Sequence, residues 1–269
     1  MISTEQDSRY ANLDSMNSRE LLEGINSEDR TVSEAVAKAL PQIQALVDGI
    51  VERMKKGGRV FYLGAGTSGR LGIVDASEIP PTYGVRDRFI GLIAGGDGAV
   101  RNAVEGAEDD TVQGWKDMLP FSPDADDTLV GITSSGTTPY VLAAIREARA
   151  HGLLTGCITC NEGSPVADAA DCPVVAVTGP EFVTGSTRMK AGTATKMVLN
   201  MISTSVMILL GHVKGCKMVD MELTNAKLVD RGTRMIMEDT GITDYEFAKS
   251  MLLKHGHVRQ AVEEYEKAR

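Results

Sequence analysis

Cysteine is scarce in this 269-residue chain, and its four cysteines (Cys157, Cys160, Cys172, Cys216) are too few for a disulfide scaffold. Cys157 and Cys160 form a C-x-x-C inside GLLTGCITCNEG, which reads as a buried strand. A redox pair would open a helix, and a zinc site would need a second ligand pair at suitable spacing, so buried thiols at a strand end are expected. The four histidines, at 151, 212, 255 and 257, are scattered, with no H-E-x-x-H, which leaves metal catalysis without support. Basic residues are outnumbered 28 to 37, for a net charge of −9. Such a chain repels a phosphate backbone, yet a small phosphorylated ligand can still be held by local backbone dipoles. Long apolar runs are also missing: Met197 to Leu210 is interrupted by Asn200, Ser203, Thr204 and Ser205, too polar to cross a bilayer. The opening MISTEQDSRY lacks the basic-then-apolar pattern of a leader, so a cytoplasmic protein is expected. With 42% hydrophobic and 24% charged residues, the composition is that of an ordinary globular protein.

The organisation is that of repeated strand–helix units. Residues 1–30 are polar and expected to be loose, apart from a short helix near Ser18–Ile25. Apolar residues at helical spacing run from Val36 to Met54, with Pro41 marking a kink or a break. Five short β-rich runs then follow: VFYLG (60–64), FIGLIAGG (89–96), TLVGIT (128–133), TGCIT (155–159) and VVAVT (174–178). Helix-compatible stretches separate them, including one through Ala107 and one after Pro139. This alternation predicts an α/β fold with a parallel sheet covered on both faces and a ligand site at the carboxyl ends of its strands. A long helix is expected after Gly185, another from Leu223 to Glu238, and two short amphipathic helices broken around His255-Gly256. The boundaries drawn from this pattern are an N-terminal helical segment (1–49), an α/β domain (50–213) and a C-terminal helical segment (214–269).

Two turns carry the marks of an anion site. Gly64-Ala65-Gly66-Thr67-Ser68-Gly69 follows the first strand and opens a helix. Its G-x-G-x-x-G form invites a dinucleotide reading, but the acidic residue expected about twenty positions on is missing, and no Gly-Lys-Ser/Thr closes a nucleotide loop. Unencumbered amides and two hydroxyls at a helix N-terminus remain, with Gly66, Thr67 and Ser68 as candidate contacts. Thr133-Ser134-Ser135-Gly136-Thr137-Thr138-Pro139 repeats the arrangement after the third strand, with proline at a plausible first helical position. An empty N-cap turn is the plain alternative for each. A hydroxyl-rich cradle without a lysine suits a sugar phosphate better than a nucleoside triphosphate.

Acidic residues cluster after the first two strands, Asp75 and Glu78 in VDASEIPPTYG and Glu105, Glu108, Asp109 and Asp110 in AVEGAEDD. Most such residues line a solvated helix face. Glu78 differs because Ile79-Pro80-Pro81 ends its helix at once, pinning it near the turn. Glu105 and Glu108, three apart, are expected on one side of a helix.

At this point the strings GAGTSGRLGIVDASEIPPTYG, GLIAGGDGAVRNAVEGAEDD, SSGTTPYVL and TGPEFVTGSTRMKAGTATK resemble the N-acetylmuramic acid 6-phosphate etherases. These belong to the sugar isomerase (SIS) phosphosugar-binding proteins and are related to the glucokinase regulator. The likeness runs from Ser33 to Asn225, with four long motifs in order. It implies a three-layer αβα sandwich on a five-stranded parallel sheet, a homodimer, and no metal or organic cofactor. It further implies cleavage of the lactyl ether of N-acetylmuramate 6-phosphate to N-acetylglucosamine 6-phosphate and D-lactate, in cell-wall sugar recycling. The family's two glutamates match Glu78 and Glu108, assigned as acid and base. Its phosphate-holding hydroxyls match Ser134, Ser135 and Thr138, with Ser68 as helper. Thr137 stands where relatives often carry a basic residue, so one anion contact is lost or supplied elsewhere. A non-catalytic phosphosugar sensor, a phosphosugar isomerase and an NAD-dependent dehydrogenase are the rival readings.

Overall fold

The computed structural model describes residues 2–268. Three helices come first: α1 (Ser18–Asp29), α2 (Val32–Lys38) and α3 (Leu40–Lys55). The periodic stretch does break, at Ala39, and Pro41 sits in the first turn of α3, where its missing N–H removes no helical bond. Strand–helix units follow as β1 (Val60–Gly64), α4 (Gly66–Ser77), α5 (Ile79–Tyr83), β2 (Phe89–Ile93), α6 (Gly98–Arg101), α7 (Gln113–Met118), β3 (Thr128–Ile132), α8 (Pro139–Ala150), β4 (Leu154–Thr159), α9 (Pro165–Ala169) and β5 (Cys172–Val175). The chain continues through α10 (Lys190–Leu209), α11 (Ala226–Thr240), α12 (Tyr245–His255) and α13 (Val258–Lys267).

All five strands are parallel, in the order β2-β1-β3-β4-β5. Both faces are covered, which is why β1 and β3 are buried at every residue and read as continuous apolar runs rather than alternating ones. On one face α8 packs so closely that a Cβ on Gly131 would stand 2.6 Å from the Val141 side chain. Phe61, Leu63, Leu129 and Cys157 join Tyr140, Val141 and Ile145 of α8 in that core layer. On the other face Gly156 of β4 meets Leu46 of α3, and Gly72 of α4 meets Tyr62 and Ile132. The expected αβα layering is thus the observed one.

Three expectations need correction. The fifth strand is Cys172–Val175, not residues 174–178. As an edge strand it tolerates Pro173, which donates nothing to the ladder, while the run beyond it keeps one bond to β4, from Ala176 N to Thr159 O at 2.9 Å, before it reaches an exposed Val177. The stretch after β2 is not one helix through Ala107. Only α6 forms, Asn102 is extended, and Gly106 adopts a left-handed φ of 72°. Nor is the N-terminal segment loose. A capping box between Asn17 and Glu20 starts α1 early enough for it to run to Asp29.

The residues form two compact units, one reaching Ala76 and resuming from Arg88 to Val206, the other made of Ser77–Asp87 and the chain from Met207 onward. The first contains the sheet. The second has its own core of Val219, Met221, Ile236, Leu252, Val258 and Val262. There Asn225 and Asp244 cap α11 and α12, and left-handed Gly241 and Gly256 end them. Asp220 accepts both Nε (2.7 Å) and Nη2 (2.8 Å) of Arg259, with His212 Nδ1 at 3.2 Å. No helix of the described residues is long and apolar enough to cross a membrane.

Candidate functional site

The strand order places both hydroxyl-rich loops side by side. β1 and β3 are hydrogen-bonded neighbours, with Gly64 opposite Ile132 at their last residues. From β1 the chain leaves toward β2, and from β3 toward β4, in opposite directions. The connections therefore diverge between the loops 64–69 and 133–138, at the point where open parallel sheets bind ligands. α4 and α8, 12 residues each, both begin there, so their N-terminal amides and dipoles favour an anion between them.

The loop after β3 is organised by its own hydroxyls. Thr133 Oγ1 lies 2.7 Å from Thr138 Oγ1 and 3.3 Å from Ser135 Oγ, and accepts the Gly136 amide at 3.3 Å. Ser135 Oγ also accepts from Thr137, from its amide at 3.3 Å and its hydroxyl at 3.1 Å. Thr138 is the backbone N-cap of α8 but its side chain makes no capping bond, and Pro139 opens the helix as expected. The hydroxyls thus do more than cap. Gly136 has φ +75°, and a Cβ there would lie 2.3 Å from Ser164 Cβ and 2.8 Å from Thr159 Oγ1. Only glycine lets this turn lie against the chain that follows β4. The Ser164 hydroxyl beside it is buried without a partner among the described residues.

The loop after β1 is equally tight. Gly64 and Gly69 pack backbone to backbone: a Cβ on Gly69 would meet Gly64 O at 2.7 Å. Gly66 starts α4 with φ +51°, followed by half-buried Thr67 and Ser68. Thr67 reaches the third element of the site, the start of α10, where its methyl group stands 3.7 Å from the Cβ position of Gly192. Arg70, one residue after this loop, donates to Val100 O (2.9 Å) and Ala99 O (2.8 Å) and so fixes α6. Beyond α6, Glu108 lies on a short 3-10 turn, Ala107–Asp109, and is exposed. Glu105 is not on a helix with it: the backbone between them passes through Gly106.

Glu78, also exposed, belongs to the second unit and is the backbone N-cap of α5, with Pro80 in the first turn of that helix. Its helix ends even sooner than the prolines require, since α4 stops at Ser77. One turn earlier, Asp75 accepts a hydrogen bond from Ser203 of α10 at 3.1 Å, and burial raises its carboxyl above the usual range.

Sequence reasoning missed several residues that support these loops. Glu181, buried, accepts the amides of Lys190 (2.8 Å) and Ala191 (3.0 Å) and caps α10 with a negative charge. Lys190 is buried and paired with Glu28 of α1, as a buried ammonium must be. Lys190 lies within a motif read from the sequence, whereas Glu28 is distant in the chain and carries no local signal. Cys157 and Cys160 are buried thiols, pushed up to about 12 by burial, which keeps them protonated and inert.

Comparison with known proteins sets this geometry in a family. Residues 42–149 match the model of the glucokinase regulatory protein N-terminal SIS domain, and residues 109–205 match the SIS domain model. In fold, the chain is similar to an E. coli CFT073 protein with a TM-score of 0.54 at 17% identity, covering 74% of this chain and 96% of that one. It is also similar to the phosphoheptose isomerase of Neisseria gonorrhoeae, with a TM-score of 0.52 at 16% identity, covering 70% and 98%. In sequence it is 60% identical to the N-acetylmuramic acid 6-phosphate etherase of Christiangramia forsetii, covering 99% of this chain and 97% of that one. The enzyme of the same name from Bacteroides thetaiotaomicron is 59% identical, over 97% and 95%. That of Geobacillus sp. (strain WCH70) is 49% identical, over 97% and 89%. With two hydroxyl-rich loops at the switch point of a SIS-type sheet and this identity over nearly its whole length, the chain belongs to the N-acetylmuramic acid 6-phosphate etherase family.

Proposed function

We propose that this chain cleaves the D-lactyl ether of N-acetylmuramic acid 6-phosphate, eliminating lactate and then adding water, to give N-acetylglucosamine 6-phosphate and D-lactate. The observation that carries this reading is the pairing of two hydroxyl-rich loops on adjacent strands, in a chain of this family. Ser134, Ser135 and Thr138, with Gly66, Thr67 and Ser68, hold the phosphate. The phosphate takes no part in the chemistry; its grip lowers the entropy of reaching a reactive geometry.

The ether at sugar carbon 3 resists direct displacement, but in the open-chain sugar it lies β to the carbon 1 aldehyde. Glu108, as base, removes the carbon 2 proton. The electron pair forms the carbon 2–carbon 3 double bond, and the carbon 3–oxygen bond breaks toward lactate, which takes a proton from Glu78. Water then adds in reverse: its hydroxyl goes to carbon 3, its other proton to Glu78, and the carbon 2 proton returns from Glu108. The chemistry is acid–base throughout and calls for neither metal nor organic cofactor. We place it in the cytoplasm, in the recycling of cell-wall amino sugars.

The same reading takes the chain as a homodimer. In it, Glu78 of one copy serves the loops of the other. Incubating the protein with N-acetylmuramic acid 6-phosphate tests the function itself. D-lactate and N-acetylglucosamine 6-phosphate should appear in equal amounts. Binding without lactate would mark a sensor instead, and aldose–ketose interconversion of a hexose phosphate without lactate an isomerase.

A further inference from the structure

The N-terminal segment runs over the carboxyl ends of the strands and is tied there by one buried side chain, Asn161. Its Oδ1 accepts from the Ser3 amide, from the Ser3 hydroxyl at 2.7 Å and from the Thr4 amide at 3.4 Å. Its Nδ2 donates to Thr4 Oγ1 at 3.0 Å and to Ser134 O at 2.8 Å. The amide's orientation is fixed by its partners, since backbone N–H groups only donate and a carbonyl only accepts. Thr4 is fully buried. Ser134 O receives two further donors, Cys160 N at 3.0 Å and Thr159 Oγ1 at 3.3 Å. Farther along, the Ser8 amide donates to Thr184 Oγ1 (2.9 Å), the Ser8 hydroxyl to Phe182 O (2.7 Å), and Tyr10 packs on Phe182 with ring centroids 4.7 Å apart. The segment therefore grips both the phosphate loop, through Asn161, and the stretch carrying the Glu181 cap of α10.

We infer that Asn161 is a positioning residue for phosphate binding, acting through the Ser134 carbonyl, and that residues 3–10 form the strap that holds it in place. A trans peptide is planar, so a Ser134 carbonyl held back toward β4 turns the Ser135 N–H the opposite way. Without the Nδ2 donor that carbonyl loses its shortest hydrogen bond and is held only by Cys160 N and Thr159 Oγ1, so the direction of the Ser135 amide and hydroxyl is less sharply set. Asn161 bonds to Ser3, Thr4 and Ser134 and not to Glu78 or Glu108, so the effect falls on binding and not on the chemical step. The inference rests on the reading above that loop 133–138 holds the phosphate.

Asn161→Asp keeps the acceptor and removes the donor. Aspartate still accepts from the Ser3 and Thr4 amides, which keeps the strap seated, but has no N–H for Thr4 Oγ1 or for Ser134 O. Measured with N-acetylmuramic acid 6-phosphate as substrate and inorganic phosphate as competitor, Asn161→Asp and Asn161→Ala should each raise KM and the inhibition constant together by about tenfold, with kcat nearly unchanged. Thr4→Val, which removes one strap bond, should move both constants in the same direction by less. If Asn161→Ala does not fold, Asn161→Asp and Thr4→Val carry the test. Unchanged constants in the folded variants would overturn the inference, as would a fall in kcat at constant KM. If inorganic phosphate fails to compete with the substrate in the parent protein, the phosphate-loop reading itself has failed.

Discussion

Replacing either Glu78 or Glu108 by glutamine lowers lactate release by about 10²–10⁴-fold, the usual contribution of one positioned acid or base. Both residues are exposed, so neither change removes a core contact, and thermal stability should hold. Binding of N-acetylglucosamine 6-phosphate should also hold, because the loops proposed to hold the phosphate are untouched. The two variants together test more than either alone. In the proposed dimer, where Glu78 comes from one copy and Glu108 from the other, a mixed dimer of E78Q and E108Q would have one site lacking both carboxylates and one with both intact. Coexpressed at equal levels, they should recover about one quarter of the parent rate, since half the dimers of a two-fold assembly are mixed and each has one working site. Recovery at that level supports a shared site. No recovery would put both glutamates to work in one chain, and parent rates from both single variants would end the assignment.

The second large effect is expected at Gly136. An alanine there must adopt a φ of +75° and place its Cβ 2.3 Å from Ser164 Cβ, against atoms that the α9 turn holds in place. The loop must move, and with it the hydroxyls and amides proposed to hold the phosphate. Losing one or two charge-assisted hydrogen bonds, at about 1.5–3 kcal/mol each, lowers kcat/KM by about a hundredfold. Gly163→Ala is the control, because Gly163 shares the left-handed backbone (φ +62°) but has open space where the Cβ would go. It should cost some stability and little activity. Steady-state kinetics on the pair decides the matter: equal activity in both variants would mean that the fit of Gly136 against Ser164 does not shape the site.

The sheet and the two loops were legible from the sequence because their signals are local. Short apolar runs such as VFYLG and TLVGIT, each followed by a glycine- or hydroxyl-rich turn, fix strand, turn and helix within about twenty residues. What was not legible depends on contacts across long stretches of chain. Asn161, Ser3 and Thr4 are unremarkable polar residues until the fold brings residues 157 or more positions apart into one hydrogen-bonded knot. Glu28 and Lys190 look like solvated charges, and only packing makes them a buried pair. The stretch after β2 misled for a different reason. Its alanines and glutamates favour a helix, but Asn102 and the left-handed Gly106 interrupt it, leaving Glu108 on a separate turn. The edge strand was displaced because apolar character alone does not show where a strand leaves its sheet.

The proposed reaction requires that the carbon 3–oxygen bond of the ether breaks and that water enters at carbon 3. Running the reaction in oxygen-18-labelled water tests it directly. The label should appear in the carbon 3 hydroxyl of N-acetylglucosamine 6-phosphate, with the released lactate keeping its original ether oxygen. Label in the lactate hydroxyl would place the broken bond on the other side of the ether oxygen and contradict the mechanism.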